Sequence, residues 1–204
     1  MGIKTDTNTE QLILEAAKVV FIKKGMEGAR MQEIADEAGI NKALLHYYFR
    51  SKDKLFTAVF KESVFKLFPN IVELLKSDIF LFDKIRLFVD NYIDIINANP
   101  LLPSFVIHEL SRNPETVVEM IKSSGINPVY FVNQVQQEIE KGTIEPVHPL
   151  HLIVNMLAMC IFPFVAKPIL QEVIFNQDQK KFDIFMQERK KEVSDFIINS
   201  IKKK

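Results

Sequence analysis

The sequence predicts an all-α protein: an N-terminal helix-turn-helix, three-helix head followed by a larger helical body. Three observations carry this. Apolar residues recur at spacings of three and four along most of the chain, the period of a helical face. No stretch alternates apolar and polar residues as a half-buried strand would. All nine prolines lie at or beyond Pro69, so the composition shifts near residue 60. A head over 1–56 and a body over 57–204 are expected on that basis.

In order, residues 1–8 read as a tail, and Asn8 or Thr9 can cap a first helix. That helix carries Ile13, Ala16, Ala17, Val20 and Phe21 and ends at Gly25. Ile34 and Ala38 share a face on a second helix, closed by Gly39, where a positive φ costs glycine little. Asn41 suits the N-cap of a third helix with Leu44, Leu45 and Phe49 on its apolar side, and small Ala35 lets the two helices cross closely. This is the pattern of a helix-turn-helix. Ser51 and Asp53 start a fourth helix running through Leu55, Phe56, Val59, Phe60, Val64 and Leu67, with a bend at Pro69.

The body reads as helices over Phe80–Ala98, Ser104–Ser111, Pro114 to Gly125, and Pro128–Lys141. The most apolar helix opens at Pro149, and Pro163 and Pro168 should kink or break it. A last helix carries Phe182, Phe185, Met186, Val193, Phe196, Ile197 and Ile201.

Three segments, Ile13–Ala17 running to Gly25, Glu33–Ile40 and Leu45–Leu55, resemble the TetR/AcrR family of bacterial transcriptional regulators, at spacings without insertions over the first quarter of the chain. Two departures are visible. Ala29-Arg30 stands where the family usually has Ser or Thr, and His46 stands where a Tyr is common. The resemblance implies a double-stranded DNA operator, phosphate contacts at Tyr48 and Lys52, groove-facing Lys42 and His46, and Gln32 at a position that sometimes reaches a base.

The residue chemistry points the same way. Tyrosine hydroxyls and lysine ammoniums at Lys42, Tyr47, Tyr48 and Lys52 suit phosphate oxygens. Ala43 and Leu44 can approach thymine methyls or sugars, and Lys42 can pair with guanine N7 and O6. The formal net charge of the chain is +0, but Lys42, Arg50, Lys52 and Lys54 against Asp53 leave a local +3 between Glu37 and Lys54.

In the body the resemblance implies a ligand cavity among the middle helices. An apolar lining drawn from Phe88, Phe105, Phe131 and Met159, with Tyr92, His108, Gln134 and Asn155 as polar groups, would fit a small lipophilic effector. Ordinary core packing accounts for each of these residues taken singly. The last two helices, near Pro149–Phe175 and Gln179–Ile201, are expected to form a homodimer interface, with Phe164, Phe182, Phe185, Phe196 and Ile197 in it. The four-helix bundle so formed is also what the resemblance implies.

Other classes find little support. There is no nucleophile elbow, cofactor fingerprint or glycine-rich phosphate loop, so no enzyme and no cofactor are expected. His148, His151 and Glu145 fit a capped helix start better than a metal site. The single cysteine, Cys160, rules out an intramolecular disulfide and reads as a small buried hydrophobe. The run Leu152–Ala166 is too short and too interrupted to span a bilayer, and Met1–Glu10 lacks a signal-peptide core, so a cytoplasmic protein is expected. The expected function is sequence-specific repression relieved by an effector. The alternative is a DNA-bound scaffold whose body binds a protein partner.

Overall fold

The computed structural model describes residues 3–65, 68–99, 102–112 and 114–203. Among them every extended secondary-structure element is helical, and the chain divides into two compact units, Met1–Lys66 and Leu67–Lys204.

The first unit holds α1 (Ile3–Gly28), α2 (Met31–Glu37), α3 (Lys42–Tyr48) and α4 (Lys52–Phe65). Helix α1 begins at Ile3, earlier than the Asn8 or Thr9 start expected, and its backbone breaks from helical geometry at Gly25, where φ is 69°. It ends as it does because glycine alone among the twenty tolerates that conformation at little steric cost. Ile13, Ala17, Phe21, Ile34, Ala35, Leu45 and Leu55 form the buried centre of the unit. The rings of Phe21 and Phe56 meet edge-on at 4.9 Å, which fastens α4 to α1. Helix α4 therefore packs as part of the head, and the division between units falls at its far end.

The second unit holds α5 (Phe68–Lys76), α6 (Leu81–Ala98), α7 (Leu102–Arg112), α8 (Pro114–Ser123), α9 (Val129–Glu140), α10 (Pro149–Val165), α11 (Lys167–Ile169) and α12 (Gln179–Ile201). Pro69 stands in the first turn of α5, and the junction with α4, where a bend is expected, lies at residues 66 and 67, outside the described residues. Pro163 is accommodated inside α10, and the break comes after Val165. There the chain turns by 61° into α11 and a π-helical turn, Leu170–Ile174. Asn176 and Gln177, both at positive φ, complete the reversal into α12.

Helix α6 lies at the centre of this unit, against α5, α9, α10 and α12. Its buried residues Leu81, Ile85, Phe88, Val89, Ile93 and Ile96 follow the three-and-four spacing, and the first five share a core cluster with Leu152, Met156 and Cys160 of α10 and Val193, Ile197 and Ile201 of α12. The end of α12 is pinned by a backbone bond from Glu145 N–H to the Ile201 carbonyl at 2.8 Å. No single helix among the described residues is long and apolar enough to cross a membrane.

Candidate nucleic-acid interface

The turn between α2 and α3 is built as the sequence dictates. Gly39 takes φ 66°, and the Ile40 amide donates back to the Ala35 carbonyl at 3.0 Å, closing the turn. Asn41 then caps α3, its Oδ1 accepting from the Leu44 amide at 2.8 Å. With Leu45 wholly buried and Phe49 nearly so, the orientation of α3 is fixed by packing.

That orientation turns Lys42, Ala43, His46 and Tyr47 outward together. Tyr47 is 74% exposed although it is a large aromatic, so the head's core does not use it. Tyr48 is half-buried, its ring meeting Tyr47 edge-on at 5.4 Å, and Leu44 is half-buried beside it. Gln32, exposed at the start of α2, donates its amide to Asp36 Oδ1 at 2.8 Å. Six expected contact residues thus share two short helices and are at least partly accessible, and Tyr48 adds a partly sheltered hydroxyl.

Lys52 behaves differently. Its ammonium donates to the carbonyls of Glu27 and Ala29, each at 3.2 Å, so two of its three donors already serve the end of α1. Nearby, Glu33 is held by Lys24 at 2.9 Å, and its carboxyl is kept below the usual range chiefly by that bond. Arg30 is exposed ahead of α2, where the sequence departs from the usual Ser or Thr. The Arg30 side chain has no acceptor to offer the free amides of α2, and only the reciprocal half of a capping box is made, the Arg30 backbone N–H donating to Glu33 Oε2 at 3.3 Å.

The residues expected to meet an effector are dispersed through the body. Phe88 and Tyr92 stack at 5.5 Å on α6, Phe131 is buried on α9, and Met159 packs on the same cluster. Phe105 is wholly buried on α7, and His108 lies 3.3 Å from Arg112 on the same helix. Gln134 donates to the Ile79 carbonyl at 2.7 Å, while its Oε1 is buried without a partner. Asn155 does not join them. Leu152, Met156 and Cys160 form the inward face of α10, which leaves Asn155 exposed.

The expected interface residues also divide. Phe182 and Ile197 are 4% and 2% exposed because they lie on the side of α12 that its own body covers, so neither is available to a partner. Phe164 and Phe185 are half-buried, and Phe196 is 62% exposed. Val154 and Phe162 of α10 are exposed to a similar degree.

Two cations turned into the body, Lys84 buried and Arg189 half-buried, are not evident from the sequence. Lys84 points into the body and donates to the Leu75 and Ser77 carbonyls at 3.1 and 2.7 Å, capping the end of α5. Its position on the Leu81–Ile85–Phe88 face is the one signal of this. Arg189 donates to the Met159 carbonyl at 2.9 Å and lies over the Phe185 ring, its Nε buried without a partner. Nothing in the charge pattern of α12 distinguishes it from its exposed neighbours. Burial pushes the Cys160 thiol and the Tyr92 phenol each up to about 12, which leaves Cys160 inert as a nucleophile. Among the described residues no group of three or more His, Cys, Asp or Glu side chains could hold a metal ion.

A helix-turn-helix whose second helix faces outward is the arrangement used to present side chains to a DNA groove. Residues 13–59 match the family described as bacterial regulatory proteins, tetR family. The chain is 24% identical over 179 residues to the probable HTH-type transcriptional regulator YttP of Bacillus subtilis (strain 168), covering 86% of each. It is 34% identical over 91 residues to the HTH-type transcriptional activator FasR of Mycolicibacterium smegmatis, covering 45% of this chain and 41% of that one. Its fold is similar to that of HlyIIR, a hemolysin II transcriptional regulator, with a TM-score of 0.62, 24% identity and coverage of 97% and 99%. The N-terminal head thus matches the tetR family of bacterial regulatory proteins, and the chain as a whole is similar in fold to regulators of that family.

Proposed function

We propose that the chain is a homodimeric repressor whose α3 helices enter the major groove of a twofold operator and whose body binds a small lipophilic effector that releases the DNA. The observation that carries the DNA-reading part is α3 itself: one side is locked into the core by Leu45, and the other presents Lys42, Ala43, His46 and a largely exposed Tyr47. An aromatic left in water on the same short helix as an exposed lysine has an evident use at a sugar-phosphate wall or a base edge. In this reading Lys42, Ala43, Leu44 and His46 face bases, Tyr47 and Tyr48 position the helix, and Gln32 reaches in from α2.

A dimer is needed because one seven-residue helix reads too few base pairs to select an operator. Exposed Val154, Phe162 and Phe196 on α10 and α12 support those helices as the contact. Release follows if the effector binds better to the dimer whose heads are spaced wrongly for two half-sites. The stacked Phe88 and Tyr92, beside Phe131 and Met159, are the apolar residues proposed to meet it.

A second reading, a scaffold whose body binds protein, draws on exposed Ile107 and Leu110 of α7 and Val118 and Ile121 of α8. A promoter-reporter assay with a panel of lipophilic compounds separates them, since only the first reading yields a compound that both relieves repression and raises the melting temperature. For the DNA contact, Lys42→Ala should cost about 1–3 kcal/mol at one base pair and relax preference there. A uniform loss on all sequences would move Lys42 to a phosphate.

A further inference from the structure

We infer that Lys52 is a positioning residue of the DNA-reading head: it latches the start of α4 to the junction between α1 and α2. This rests on the DNA-binding reading above and adds the device that fixes where α2 begins.

Lys52 stands in a local conflict. It is the first residue of α4, whose cap is Ser51, with its Oγ accepting from the Lys54 amide at 3.2 Å. A cation there meets the positive end of its own helix and is disfavoured. No carboxylate pairs with it among the described residues; its ammonium instead reaches back across more than twenty residues of chain to the Glu27 and Ala29 carbonyls. Those carbonyls lie just past the break at Gly25, where α1 runs out and its last acceptors lack amides from a following turn. The charge that is misplaced at the start of α4 is well placed at the end of α1.

The latch bears on DNA through the segment that Ala29 leads into. Ala29 is 2% exposed and precedes Arg30, the cap of α2, and then Gln32. A second tie, Lys24 to Glu33 at 2.9 Å, holds the same junction from the α1 side. Helix α2 in turn carries α3 through the closed turn at Gly39. Loosening Lys52 frees the entry into the whole reading unit, whereas an arm serving only a phosphate would leave the unbound head unchanged.

The test uses the full chain as wild type, Lys52→Met, which keeps the apolar stem, and Lys52→Arg, which restores donors. In protein without DNA, amide exchange over residues 29–34 should quicken about tenfold in Lys52→Met and return toward wild type in Lys52→Arg. On a 30-base-pair random duplex, Lys52→Met should bind about tenfold more weakly, with the slope of log affinity against log salt unchanged. A slope smaller in magnitude by about 0.9 would make Lys52 a phosphate contact and overturn the inference, as would unchanged exchange in the free protein. Should Lys52→Met fail to fold, Lys52→Gln takes the same two measurements with the same deciding outcomes. A wild-type chain that does not retain the duplex would instead overturn the DNA-binding reading, while the exchange comparison still decides the latch.

Discussion

Phe196 and Ile197 are adjacent on α12 yet face opposite environments, 62% and 2% exposed. Substituting each one separates assembly from folding. In the single chain the Phe196 ring is mostly in water, so Phe196→Glu should change folding stability by no more than about 0.5 kcal/mol. In the proposed dimer that ring is buried. Full burial of a phenylalanine contributes about 1.5–3 kcal/mol, so the part still exposed accounts for roughly 1–2 kcal/mol per protomer. A twofold interface holds two copies, and losing roughly 2–4 kcal/mol raises the dimer Kd about 30- to 700-fold before any penalty for the buried charge. Ile197→Ala should cost about 2–5 kcal/mol of folding whether or not the chain is paired, because it opens a cavity between α12 and α6. Sedimentation velocity over a dilution series, with urea unfolding at matched concentrations, reads both quantities, since apparent stability depends on concentration only while unfolding is coupled to dimer dissociation. A folded Phe196→Glu chain that dimerises like wild type would refute the interface. A monomer destabilised by Phe196→Glu as strongly as by Ile197→Ala would refute the placement of the ring in water.

Two further outcomes test the local structure. Asn41→Ala removes the cap of α3 and should lower stability by about 1 kcal/mol, with faster exchange at the Leu44 amide; unchanged exchange there would deny the cap. At alkaline pH, Tyr92 and Cys160 resist ionisation in the folded chain, each held up to about 12 against ordinary values of 10.0 and 9.0. Both groups ionise more readily once unfolded, so the unfolded chain binds fewer protons and stability falls between about pH 9 and 12. Tyr92→Phe and Cys160→Ala should each flatten that decline, and an unchanged profile would show these groups to be solvent-accessible.

The head is legible in the sequence because its signals are local. Gly39, Asn41 and the Ile34–Leu45 pattern each specify a turn, a cap and a face, and all three agree. Body helices are legible from periodicity, with proline and glycine marking their ends. Periodicity leaves open which apolar neighbour a helix face meets. Phe182, Ile197 and Phe196 belong to one apparent stripe, but the stripe wraps far enough around α12 to face two ways, and only packing against α6 and α10 separates its sides. Asn155 is misplaced for the same reason, since a helix of uniformly apolar residues gives no phase. Lys52 and Lys84 read as charges, but both ammoniums cap the ends of other helices, Lys84 that of the preceding helix and Lys52 one more than twenty residues back, pairings that no spacing rule reveals.

If a pair of α3 helices reads one twofold DNA sequence, the full chain should select that sequence from a pool of random duplexes. Sequencing of the retained fraction should show enrichment of an inverted repeat whose half-sites lie about one helical turn, roughly 34–36 Å, apart. That enrichment should weaken at one base pair in Lys42→Ala. Retention of duplexes with no common symmetric sequence, or the same sequence and strength from Lys42→Ala, would contradict the proposed reading.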